Sequence, residues 1–188
     1  MAAAGAGLHA GVVMSLTDFE NGEKDGSTTG KDADAVRDMT AVFEGQLQQF
    51  TSGNPLFTIE RTSGSIRLIR KDTPPDVIER LTHSGISTGR SQISASAGVV
   101  EVVGSLIRQQ PMAGVLGSGL TPGPRCPLGA PVKIDAGQTT AFDALDSIVD
   151  QVPGLSWFVL FDPDRPKDLE VGLWCPDGMH FRVELRLS

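Results

Sequence analysis

The clearest alternation of apolar and polar positions lies in residues 132–161, VKIDAGQTTAFDALDSIVDQVPGLSWFVLF. Residues 132–134 predict a short strand. Thr140 with Asp143 three positions on resembles a capping box, with Asp in place of the usual Glu, so a helix starts there. Phe142, Leu145, Ile148, Val149 and Val152 then recur at helical spacing. Asp143, Asp146 and Asp150 fall on the opposite side and read as a solvated face, with Asp143 also favoured by the helix dipole. Pro153-Gly154 stops the helix, and the run 155–161, apolar but for Ser156, predicts a strand with Trp157 and Phe158 covered on both faces.

The same reading applies along the rest of the chain. Ala35, Val36, Met39, Val42, Phe43, Leu47 and Phe50 predict an amphipathic helix over 33–50, ended by Ser52-Gly53-Asn54-Pro55. Residues 56–61 and 65–70 alternate around Thr62-Ser63-Gly64 and predict a hairpin. Phe57 and Ile59 on one arm match Ile66 and Leu68 on the other, so one hairpin face must be covered. Thr73-Pro74-Pro75-Asp76 opens a short helix to about His83, because proline is tolerated where a helix's first N–H groups have no partner. Residues 84–98 predict loop, and Val99, Val102, Val103, Leu106 and Ile107 a helix. Residues 111–131 are rich in Pro and Gly and predict a long irregular connection. A last hairpin is expected from 169–174 and 179–187, with Phe181, Val183, Leu185 and Leu187 on one side and Arg182, Glu184 and Arg186 on the other.

These elements predict an α+β fold: small antiparallel or mixed sheets covered by amphipathic helices. Residues 1–31, small and polar, predict a flexible leader. Residues 32–188 then form one α+β domain, or two halves, 32–110 and 132–188, joined by the 111–131 loop. The length of 188 residues allows either arrangement.

Charge narrows the partners. A net charge of −7 with scattered bases argues against nucleic acid and anionic membrane surfaces, both of which are bound through Lys and Arg. No run reaches the roughly 18 apolar residues of a membrane-spanning helix. The apolar N-terminus lacks a basic start and reads as a leader or the remnant of a signal peptide. Cys126 and Cys175 permit one disulfide; two separate buried thiols fit the sequence equally.

Candidate chemistry is sparse. Gly85-Ile86-Ser87-Thr88-Gly89 matches G-x-S-x-G, and an acid in 143–150 followed by His180 would complete the chain order of a serine hydrolase. The helical pattern before Ser87 argues against it, since that elbow follows a buried strand. Gly117-Ser118-Gly119 lacks the Lys-Ser or Lys-Thr of a phosphate loop. His9, His83 and His180 stand apart, so no zinc site is expected. Asp162, Asp164 and Asp168, interrupted by prolines and bases, read as a solvated turn. With no Tyr and two Trp, the chain lacks the aromatic platforms of sugar or single-strand sites. No cofactor, metal or catalytic residue is expected.

Residues 132–173, with Ala144-Leu145-Asp146, Gly154-Leu155 and a strand on either side, resemble the short N-terminal domains of secretins and TonB-dependent receptors. The resemblance covers a minority of the chain. The Trp-bearing strand, the two cysteines and the N-terminal half depart from that pattern. It implies a periplasmic interaction module without catalysis. The expected function is therefore a non-catalytic protein-interaction domain of an exported bacterial protein, periplasmic or extracellular, binding through a helix face or through a sheet edge, for which the terminal hairpin is expected to present an open strand. A serine hydrolase using Ser87 and His180, and a subunit assembling with further copies through the 33–50 helix, are the alternatives.

Overall fold

The computed structural model describes residues 9–17, 57–61, 65–86, 92–108, 113–118, 126–135, 139–175 and 180–187. The 33–50 segment lies outside them. The class is α+β, as the pattern predicts. Strands β1 (His9–Ser15), β2 (Phe57–Arg61), β3 (Ser65–Arg70), β5 (Ala113–Ser118), β7 (Ser156–Asp162), β8 (Arg165–Trp174) and β9 (His180–Leu187) form one seven-stranded sheet in the order β2-β3-β1-β7-β8-β9-β5. Only β1 pairs in parallel, with β3 and β7. Strands β4 (Ile93–Ser94) and β6 (Pro131–Val132) make a separate two-stranded ladder.

Helices α1 (Pro75–His83), α2 (Ala95–Arg108) and α3 (Ala141–Gln151) bury their apolar stripes against one face of the sheet. Helix α3 lies along β1 and β7, and α2 along β8 and β9. The core between them contains Leu145, Ile148, Val102 and Leu106 from the helices, and Val13, Trp157, Val159, Val171, Val183 and Leu185 from the strands. Helix α3 starts as its sequence predicts. Thr140 Oγ1 accepts from the Asp143 N–H at 3.1 Å. After the helix, Gly154 takes a φ of 89°, a left-handed value that suits glycine.

Three expectations are corrected. Residues 9–15, expected within a flexible leader, are an inner strand. In HAGVVMS only the pair Val12-Val13 is β-branched and it is preceded by small residues, too little periodicity to stand out, but pairing on both sides secures the strand. Residues 113–118, expected as irregular loop, form the outer strand β5 against β9. Gly114 and Gly117 weaken the local strand signal, and the ladder with β9 overrides it. The 132–134 strand shrinks to Pro131–Val132, paired with β4 at the start of α2.

The disulfide bears on that start. Cys126 and Cys175 are bonded, with Cα atoms 5.2 Å apart, so the stretch leading to β6 is tied to the end of β8. The Ala95 and Ser96 N–H groups, the first of α2, donate to the Ala130 and Leu128 carbonyls at 2.9 and 3.1 Å. Ser94 Oγ accepts from the Ala97 N–H. A helix leaves its first N–H groups without intrahelical partners; here the disulfide-tethered segment supplies them.

Candidate functional site

Successive side chains along a strand point to opposite faces, and β7 shows what each face of this sheet is for. Trp157 and Phe158 are neighbours in sequence and each is about 1% exposed, but they belong to different clusters. Each ring lies over a glycine of an adjacent strand. A Cβ on Gly11 would sit 1.8 Å from the Trp157 ring, and one on Gly172 would sit 2.4 Å from the Phe158 ring.

On the helix face, Trp157 Nε1 donates to Asp146 Oδ1 at 2.7 Å. Arg67 of β3 donates through Nε to Asp146 Oδ2 at 2.8 Å and through Nη2 to Asp143 Oδ1 at 3.0 Å. Its guanidinium carbon lies 4.9 Å above the Phe142 ring. Burial disfavours the Arg67 charge, but bonds to Asp146 and Asp143 and their charges outweigh it, so its pKa is raised. Burial likewise opposes ionisation of Asp143, but Thr140 and Arg67 together hold it below the usual carboxylate range. The expectation that Asp143, Asp146 and Asp150 form one solvated face is thus corrected at Asp146, which is 6% exposed. The reason lies outside the helix: β3 brings a cation to the helix's edge, and a fully bonded carboxylate can be buried. This cluster fastens the β2–β3 hairpin to α3.

The second face is built differently. Val12 pairs with both Leu68 and Phe158, and Met14 with Leu160. Ile59 pairs with Leu68. Because Arg67 points to the helices, its neighbours Ile66 and Leu68 point away from them, with Ile59. Further along the sheet the same face turns polar. Glu170 and Glu184 are cross-strand partners, joined to Arg182 at 3.0 Å and Arg186 at 3.2 Å respectively. Burial pushes the Glu170 carboxyl up; Arg182 opposes and Glu184 reinforces that shift.

A cavity of about 70 Å³ opens beside this ladder, lined among others by Leu16, Leu160, Asp162, Asp168, Glu170 and Glu184. That volume is far below the ~300 Å³ of a small-molecule site. The Asp162 carboxylate is engaged locally, accepting from the Asp164 N–H at 2.9 Å and lying 3.4 Å from Arg165. Among the described residues no group of three or more His, Cys, Asp or Glu is placed to hold a metal ion, and no helix is long and apolar enough to cross a membrane.

The sequence-derived candidates scatter. Ser87 lies outside the described residues. Its neighbour Ile86 follows α1 rather than a buried strand, bridges to Thr139 and joins the helix-side core. His180 is on the other side of the sheet, its ring 6.1 Å from Phe158 and 5.9 Å from Trp174. Cys126 and Cys175 do come together. The expectation that the terminal hairpin offers an open strand is corrected: β9 pairs with β8 on one side and β5 on the other. Among the described residues the outer strands are β2 and β5. Nothing local marks Arg67, one of two bases in the alternating arm SIRLIR, because its partners lie 76 and 79 residues away.

An α+β sheet domain with a disulfide and two outer strands is the class these features define. No family model matches the chain, and neither a curated protein nor a solved structure does.

Proposed function

We propose that this chain is a non-catalytic protein-interaction domain of an exported bacterial protein, and that it binds by adding an extended partner segment to the outer side of β2. The observation that carries this reading is the position of β2. It ends the seven-stranded sheet, its Thr58 and Glu60 side chains are exposed, and the strand it pairs with is held to α3 through Arg67. A rigid outer strand is a template for a further strand, whose main-chain hydrogen bonds supply affinity.

Two further points support it. The disulfide suits an oxidising compartment outside the cytoplasm. The resemblance of residues 132–173 to the short N-terminal domains of secretins and TonB-dependent receptors points to binding rather than catalysis.

Proline cannot donate to a ladder, and within residues 58–60 N–H groups face inward and outward alternately. Separate Thr58→Pro and Ile59→Pro variants, checked for native near-UV circular dichroism, test the edge. Partners retained by the unaltered chain should be lost from the variant whose outward N–H is removed. Retention of the same partner by both variants, or labelling of Ser87 by a fluorophosphonate, would sink the proposal.

A further inference from the structure

The helix-side margin of the β2 edge is short of positive charge. Directly paired residues of neighbouring strands share a face of the sheet. Glu60 pairs with Arg67 and Thr58 with Ile69. Arg67 reaches Asp146 and Asp143 on α3, and Ile69 belongs to the helix-side core. Thr58 and Glu60 therefore stand on the helix face, at its outer margin, and both are exposed. The guanidinium beside Glu60 is already committed, through Nε to Asp146 and through Nη2 to Asp143. Arg70, the other base of β3, shares the opposite face with Leu68 and is paired with Asp72. Among the described residues no ion pair reaches Glu60. Three carboxylates thus flank one cation. Ile59 faces the other way, beside Leu68, and is half-buried.

We propose that the segment received by β2 is an extended stretch of a partner protein that is basic on one face and apolar on the other, with Lys or Arg opposite Glu60 and an apolar side chain opposite Ile59. This rests on the edge-binding reading and adds the chemistry of its partner.

The distances make the choice. Side chains directly opposed on adjacent strands lie about 4.5–5.5 Å apart at Cβ, so opposite charges stabilise the pair and like charges oppose it. An acidic residue opposite Glu60 would meet a site with no cation to spare, whereas a basic one supplies the missing charge. The net charge of −7 draws basic segments toward the chain as a whole. Glu60 does more, because it fixes the face: a slip of one residue would turn the partner's base onto Ile59.

Two fluorescently labelled six-residue peptides, one alternating lysine with valine and the other glutamate with valine, are titrated with the full oxidised chain at low salt and read by anisotropy. The lysine peptide should bind about fivefold more tightly or better, the scale of an exposed cross-strand charge pair. Glu60→Lys should weaken it about fivefold and Glu60→Gln about twofold. Glu79→Lys, the same change of net charge at an exposed site on α1, should change it less than about twofold, because exposed charges more than a Debye length away are screened. Near-UV circular dichroism checks each variant, and if Glu60→Lys does not fold, Glu60→Gln against Glu79→Gln decides. Equal weakening at positions 60 and 79, equal affinity for both peptides, or no binding of either would overturn the inference. Thr58→Pro and Ile59→Pro distinguish it from the edge reading. Lysine-peptide binding that survives both sinks the edge; binding that one of them abolishes, without preference for charge, leaves the edge standing and removes only the basic partner.

Discussion

The two faces of β7 solve the same packing problem with different means. On one side Trp157 is fixed by a hydrogen bond to a buried carboxylate, itself bonded to Arg67, and three helices close over it. On the other side Phe158 and Leu160 are just as buried, but their described neighbours are strand residues, Leu16 just after β1 and a Glu–Arg ladder. Burial alone does not distinguish the faces; the source of specificity does. Directional bonds lock the helix face, whereas apolar contact and half-exposed charge make up the second, so substitutions should separate them.

The largest difference is expected at Asp146. Its loss leaves the Trp157 N–H buried without a partner and takes from Arg67 its buried carboxylate, leaving only the exposed Asp143; breaking a buried pair costs about 3–5 kcal/mol. Asp143 also touches Arg67 but its side chain is 55% exposed, so Asp143→Ala should cost no more than about 1 kcal/mol. Urea unfolding of Asp146→Ala and Asp143→Ala measures the gap; equal losses would mean that Arg67 is held by general attraction and not by the buried bond.

Next comes the disulfide, which closes a loop of sequence separation 49. The chain-entropy relation gives about 4 kcal/mol for a loop of that size. Reduction should lower the unfolding midpoint and speed hydrogen exchange first in the opening turn of α2, because residues 126–130 accept its N–H groups. Uniform acceleration over the sheet would contradict that local role.

The glycines beneath the rings come third. Gly11→Ala and Gly172→Ala each insert a methyl where a ring already lies, and overpacking costs about 1–3 kcal/mol. Gly11→Ala should in addition perturb the Trp157 indole N–H resonance, since that ring is bonded to Asp146. An unchanged resonance would show that the ring can give way.

The smallest effect is in acid. Asp143 has a folded pKa below its ordinary 3.8, so its contribution is present above that value and fades as pH falls through the folded pKa. Glu170 has a folded pKa above 4.5. Its contribution is complete below 4.5 and is lost as pH rises through the folded pKa. Carboxyl ¹³C titration should find Glu170 protonating before Asp143 as acid is added, and the reverse order would exchange the electrostatic descriptions of the two faces.

Local signals carried part of this structure into the sequence. The Thr140 cap, the α3 stripe, Pro153-Gly154 and the apolar run of β7 depend on neighbours within a few residues, and each is found where the pattern puts it. Strands β1 and β5 carry little local signal because Ala and Gly flank their short apolar pairs and dilute the preference of valine; the ladders with β3, β7 and β9 decide them. Asp146 was misread because amphipathic counting treats every carboxylate opposite a stripe as solvated, and only the distant Arg67 and Trp157 show otherwise. The open edge is likewise decided at a distance: β9 is last in sequence, yet β5, more than 60 residues earlier in the chain, pairs along its outer side. The disulfide stayed open until the fold set the two cysteines side by side.

Amide hydrogen exchange on the purified, oxidised chain tests the central claim, that β2 offers an open outer edge while β7 is sealed on both faces. The account predicts slow exchange along β7 and, over residues 58–60, alternation between slow inward-facing and fast outward-facing N–H groups. Uniform protection of residues 58–60 at the level of β7 would contradict it, because the edge would then already be occupied.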